Sequence, residues 1–118
     1  MNGTIAILTP AGKLSRVFME SEFLKQLQTA VEGHVQVVSL TDTMDMWCNE
    51  EGKMNGSEWN ESATAIWHAM YGPTDAIFGT VVFSGTPDSD GNTRGISNED
   101  FARLELVAEA ARRAGNPV

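Results

Sequence analysis

Short apolar runs and spaced apolar stripes alternate along this chain, and the alternation predicts its elements. Thr4-Ile5-Ala6-Ile7-Leu8 is a β-branched run closed by Thr9-Pro10-Ala11-Gly12, the pattern of a buried strand entering a turn. Leu14 to Phe18 reads as a second strand pairing back on it. Phe23, Leu24, Leu27, Ala30 and Val31 then share one face of a helix, with Ser21 as its N-cap, Glu22 in its first turn and Gly33 as its stop. Val35 to Leu40 returns to a strand pattern, and Asp45-Met46-Trp47-Cys48 gives another. Asn49-Glu50-Glu51-Gly52 is its turn, with Gly52 suited to positive φ, and Lys53 onward is the returning arm until Asn55-Gly56.

Asn60 is placed to cap a second helix whose buried stripe is Ala63, Ile66, Trp67 and Met70, ended by Gly72-Pro73. Asp75 to Phe83 is the strongest strand signal, with Gly79 marking a bulge or a close backbone approach. Gly85 to Gly95 reads as a polar loop. The last helix opens on Ser97 and Asp100, a capping box with Asp in the Glu/Gln position, and Ile96 and Phe101 form its hydrophobic staple. Phe101, Leu104, Val107, Ala108 and Ala111 supply its apolar face, and Gly115 and Pro117 end it. The predicted architecture is a single α+β domain over residues 1–115, a mixed, mostly antiparallel sheet packed by about three helices, with a frayed tail at 116–118.

The length of 118 residues suits one domain, and the lone cysteine, Cys48, excludes an internal disulfide framework. No stretch approaches the roughly 20 apolar residues of a membrane span, and no cationic leader precedes an apolar block, so a cytoplasmic location is expected. The net charge is −8. Its excess lies wholly within residues 41–92, where Asp42, Asp45, Glu50, Glu51, Glu58, Glu61, Asp75, Asp88 and Asp90 face Lys53 alone. If these acids converge, they form a negative surface that repels nucleic acid and steers basic partners. Only Arg103, Arg112 and Arg113 cluster among the bases, and Glu105 and Glu109 alternate with them, which argues against direct binding of nucleic acid.

No set of residues spells out a reaction. His34 and His68 read as structural or solvated positions, and Cys48 lies where a strand would bury it, away from a general base. Asp88-Ser89-Asp90-Gly91-Asn92 with Glu99 is spaced like a calcium loop, but Thr93 stands where the sharp turn demands glycine, so a surface loop is the expectation. Ala11-Gly12-Lys13-Leu14 lacks the upstream glycine of a phosphate loop. Asp45, Glu50 and Glu51 are the candidate paired carboxylates, but the two glutamates lie in a predicted exposed turn, without the burial that two-carboxylate acid–base chemistry needs. Trp47, Trp59 and Trp67 are aromatic candidates for core, and Trp59, in a loop, also for a partner's anchor.

The runs Trp47-Cys48-Asn49-Glu50-Glu51-Gly52-Lys53, Asn60-Glu61-Ser62-Ala63-Thr64-Ala65-Ile66-Trp67 and Gly79-Thr80-Val81-Val82-Phe83-Ser84-Gly85 resemble a small domain family of unknown function, found mostly in actinobacteriophages and actinobacterial genomes. The resemblance spans about 42–101, with Met54 to Trp59 replacing a more apolar, proline-containing link. It implies a phage-encoded accessory protein and brings no catalytic residue with it. The expectation is a protein that binds a host or phage protein through an acidic surface carrying Asp45, Glu50, Glu51, Glu58 and Trp59, without enzyme activity, cofactor or metal. Two alternatives stand beside it: a binder of a small ligand or nucleotide derivative, and a weak DNA mimic directed at a DNA-binding host protein. A homo-oligomer through Ala108, Ala111 and Ala114 is weighed against a local core for those residues, and the core is expected.

Overall fold

The computed structural model describes residues 3–52 and 56–114. The chain runs β1 (Thr4–Leu8), β2 (Leu14–Phe18), α1 (Phe23–Val31), β3 (Val35–Thr41), β4 (Met44–Asn49), α2 (Glu61–Tyr71), β5 (Val81–Gly85) and α3 (Asn98–Ala114). The strands form one sheet in the order β2-β1-β5-β4-β3. Every pairing is antiparallel, so the fold is α+β without the parallel component that a mixed sheet implies. β1 and β4 do run in the same direction, but β5 lies between them and opposes both.

The side-chain alternation of each strand divides the core. On one face Ala6, Leu8, Met44, Met46, Val81 and Phe83 meet α2 and α3 through Ala63, Ile66, Leu104 and Ala108. On the other, Ile5 and Val82 meet Leu27 and Val31 of α1, with Phe23 and Trp47 packed at the side, their rings 6.0 Å apart edge to face. Of the alanine stripe of α3, Ala108 and Ala111 are buried within this chain, and Ala114 is exposed. Among the described residues no helix is long and apolar enough to cross a membrane.

Several local expectations change. The run Asp75 to Phe83 is not one strand: Gly79 adopts φ +81°, which breaks the extended backbone, and β5 begins only at Val81. The N-cap of α1 is Glu22 without a side-chain bond, not Ser21, and Leu24 points outward. The left-handed residue closing α1 is Glu32, at φ 61°; Gly33 is needed instead because a Cβ there would stand 2.6 Å from the Asn49 amide nitrogen. Gly52 likewise answers a close approach, 3.0 Å to the Phe78 carbonyl, rather than positive φ. At α3 the Ser97 hydroxyl accepts the Asp100 N–H at 3.0 Å, but the Asp100 carboxylate does not complete the box; it is buried and accepts the Thr43 hydroxyl at 2.8 Å. The arm from Lys53 to Asn55, the helix stop at Gly115 and Pro117, the domain boundary at 115 and the tail at 116–118 lie outside the described residues.

Candidate functional site

The end of the sheet where β1 and β4 finish and β5 begins is organised by two buried asparagines. Asn60 caps α2 by accepting the Ala63 N–H at 3.0 Å. Its amide nitrogen donates to the Leu8 carbonyl at 3.1 Å and to the Gly79 carbonyl at 2.8 Å. One side chain thereby joins the end of β1, the approach to β5 and the start of α2. Asn49 does the same on the other side, donating to the Val31 carbonyl at 3.1 Å and accepting the Glu51 N–H at 2.8 Å, which fixes the end of α1 to the turn after β4. Buried polar groups that bridge backbone from several elements set the geometry of whatever they carry.

What they carry is a short pairing of residues 58–60 with 77–79. The Gly79 N–H donates to the Glu58 carbonyl at 2.7 Å, the Asn60 N–H to the Ile77 carbonyl at 2.8 Å, and Trp59 forms an isolated bridge with Phe78. The Trp59 indole N–H donates to the Thr64 hydroxyl at 3.0 Å, yet the residue remains 51% exposed. It is therefore a held aromatic on the surface and not a core residue. Glu58 lines a shallow depression of about 530 Å³ with Glu32, Thr9, Ser57 and Thr80. The turn of Glu50 and Glu51 abuts the same segment, since Gly52 packs on the Phe78 carbonyl. Glu50 also borders a second cavity, of about 260 Å³, whose wall is formed by Met46, Cys48, Trp67 and Phe78 and which Asp75 also lines.

The acids of 41–92 thus gather only in part. Glu50, Glu51, Glu58 and Glu61 stand at this end, joined by Glu32. Asp42 and the Asp88–Asp90 loop lie at the opposite end, where β3 and β5 finish. Asp45 belongs to neither surface. It lies opposite Ser39 and Ser84 in the sheet, is 7% exposed, and burial raises its carboxyl above the ordinary value of 3.8. Its place among the exposed acids is corrected: the strand alternation that turns Met44 and Met46 to one core turns Asp45 inward on the face that α1 covers.

The remaining candidates resolve into structure. The Asp88 carboxylate accepts the backbone N–H groups of Asp90 and Asn92 at 2.9 and 3.0 Å, closing its own turn, and Glu99 pairs with Arg103 at 3.4 Å. Among the described residues no group of three or more His, Cys, Asp or Glu is arranged to hold a metal ion. The His68 ring meets the Asp75 carbonyl at 2.9 Å. The Trp47 indole donates to the Ser84 hydroxyl at 2.9 Å, and the Trp67 indole to the Thr74 hydroxyl at 3.0 Å. Asn49 escaped sequence reasoning as an organiser. Its signal was the glycine at 33, which leaves room for the amide but reads from sequence alone as a helix stop.

A family model described as Domain of unknown function (DUF3846) matches residues 2–109, which is most of the chain. No curated protein and no solved structure matches it.

Proposed function

We propose that this chain, which belongs to the DUF3846 family, is a small accessory protein that acts by binding a basic surface of another protein. The phage-encoded and cytoplasmic setting implied by the motif in 42–101 is part of the same proposal. The observation that carries it is Trp59: a half-exposed indole fixed by Thr64 and Phe78, set beside Glu58 and near Glu50 and Glu51. A fixed aromatic loses little conformational freedom on contact, and flanking carboxylates steer a cationic partner and reject anionic ones. The test is affinity capture from the native host at low salt, followed by titration of the recovered partner. Trp59→Ala is expected to weaken binding by about 2 kcal/mol or more, and the paired change Glu51→Lys with Glu58→Lys to slow association and remove its salt dependence. Equal affinity for wild type and Trp59→Ala would refute the reading.

A second reading is favoured by the cavity beneath Trp67 and Phe78. Its aromatic wall and volume of about 260 Å³ suit a small ligand. Thermal-shift screening separates the two, because a ligand at about 100 times its dissociation constant adds roughly 2.7 kcal/mol of stability. The division of the acids between the two ends of the sheet weighs against the DNA-mimic alternative, which requires a continuous negative row.

A further inference from the structure

From the pairing geometry we infer that the outer edge of β3 is a docking site for an extended basic segment of a partner protein, which would add a sixth strand to the sheet. The Glu50 N–H donates to the His34 carbonyl at 3.0 Å, which makes His34 and Glu50 a hydrogen-bonded pair. Alternation along an antiparallel ladder then turns the N–H and C=O groups of Gln36 and Val38 toward β4. The same groups of Val35, Val37 and Ser39 point away from the sheet. One of them is answered: the Ser39 carbonyl accepts the Tyr71 hydroxyl, which confirms the outward direction. The others have no partner within the described residues.

Sheet edges in monomeric proteins are commonly blunted by lysine, proline or a bulge within the strand. Between Val35 and Ser39 there is no charge and no proline, the bulge comes only between Ser39 and Thr41, and Val37 is 48% exposed. The opposite edge is different. β2 is shorter, carries Arg16, and has the Gln26 amide donating to the Phe18 carbonyl while accepting the Glu20 N–H. The β3 edge is therefore the open one.

Charge selects the occupant. The strand is preceded by Glu32 and flanked at its start by Glu50 and Glu51, while Asp42 follows its end, and all four are exposed. A second copy would bring the same carboxylates and another net −8 to this edge. An extended segment with apolar residues in its middle and lysine or arginine at its ends meets both the backbone groups and the charge. The two surfaces share Glu32, Glu50 and Glu51, but this one is built on the β3 backbone and not on Trp59, so Val37→Pro and Trp59→Ala tell the two readings apart.

The probe is the peptide acetyl-Lys-Val-Thr-Val-Thr-Val-Lys-amide, titrated against the whole chain and followed by amide hydrogen exchange. The amides of Val35, Val37 and Ser39 are expected to exchange freely alone and to gain protection with the peptide. Val37→Pro removes an outward N–H without breaking a bond to β4, so the fold should survive while affinity falls at least about tenfold. Replacing both lysines of the peptide by glutamate should cost about tenfold as well, whereas Phe18→Pro on the other edge and Trp59→Ala should leave affinity within about twofold. If Val37→Pro unfolds the chain, the exchange pattern of the wild type decides alone. The inference is overturned if the lysine peptide gives no protection at about 1 mM, if Val37→Pro folds and binds unchanged, or if the free chain already protects these amides by self-association.

Discussion

The two faces of the sheet are covered unequally, and the inward-facing residues of the strands follow the difference. Two helices lie on one face and bury an apolar set centred on Phe83. The other has only α1, nine residues long, which at about 1.5 Å per residue extends about 14 Å. Five strands spaced about 4.8 Å apart make a sheet about 19 Å across, wider than one helix can cover. Beyond the reach of α1 the covered face changes character. Asp45 and Ser84 occupy inward positions there, and Trp47 reaches Ser84 with its indole nitrogen, while Asn49 lies against the end of α1 and bonds the Val31 carbonyl. A thin layer tolerates polar side chains on the strands where hydrogen bonds or nearby solvent serve them. On the thick side the inward strand positions are apolar, and the buried polar residues Asn60, Ser62, Thr64 and Asp100 come from the helices and the cap of α2.

The largest expected effect tests the thick face. Phe83→Ala should cost about 3–5 kcal/mol, because two packed helices cannot collapse into the space. Leu27→Ala on α1 should cost about 2–3 kcal/mol, since a short helix can shift toward the sheet. Denaturant unfolding of both variants checks the order, and equal losses would mean that the layers are equally rigid. Trp47→Phe removes one hydrogen bond while keeping most of the ring against Phe23, and the Ser84 hydroxyl retains its bond to the Gly85 carbonyl at 2.9 Å. A loss of about 1 kcal/mol is expected.

Asp45→Asn should move stability the other way. Its carboxyl is raised above 3.8 by burial, so the folded chain holds that proton more tightly than the unfolded chain does. The ionised carboxylate is a cost, present in full above the folded value and gone below 3.8. The amide removes the cost, so Asp45→Asn should be more stable than wild type at neutral pH and lose that advantage as the pH falls toward 3.8. Unfolding curves at several pH values measure it, and a neutral-pH loss would show that the ionised group has a favourable partner.

Much of the architecture was legible in the chain because local rules governed it. The run at Thr4–Leu8, the stripe ending in Leu27 and Val31, the Asn60 cap and the Ser97 hydroxyl at the start of α3 all act within a few residues. The failures share a cause. Gly79 sits in an apolar stretch that reads as continuous, and its left-handed backbone is imposed by the pairing of 58–60 with 77–79, which no local pattern announces. Asp45 looked like a surface acid because the register that turns it inward depends on which strands lie beside it. The distribution of the other acids is a matter of topology too: Glu50 and Asp88 are close in composition and charge but leave the sheet at opposite ends. Trp59 was half legible, as a loop aromatic; the hydroxyl and the bridge that hold it were not.

The central position of β5 has a consequence during synthesis. The hairpins β1–β2 and β3–β4 each have the means to pair as soon as they emerge, but the last strand in the chain is the one that stands between them. Until residue 85 has left the ribosome, β1 and β4 each present a bare inner margin, and a product released early keeps both. Such a fragment has two sticky ribbons and nothing to join them, so interrupted translation should yield aggregate rather than a smaller working protein.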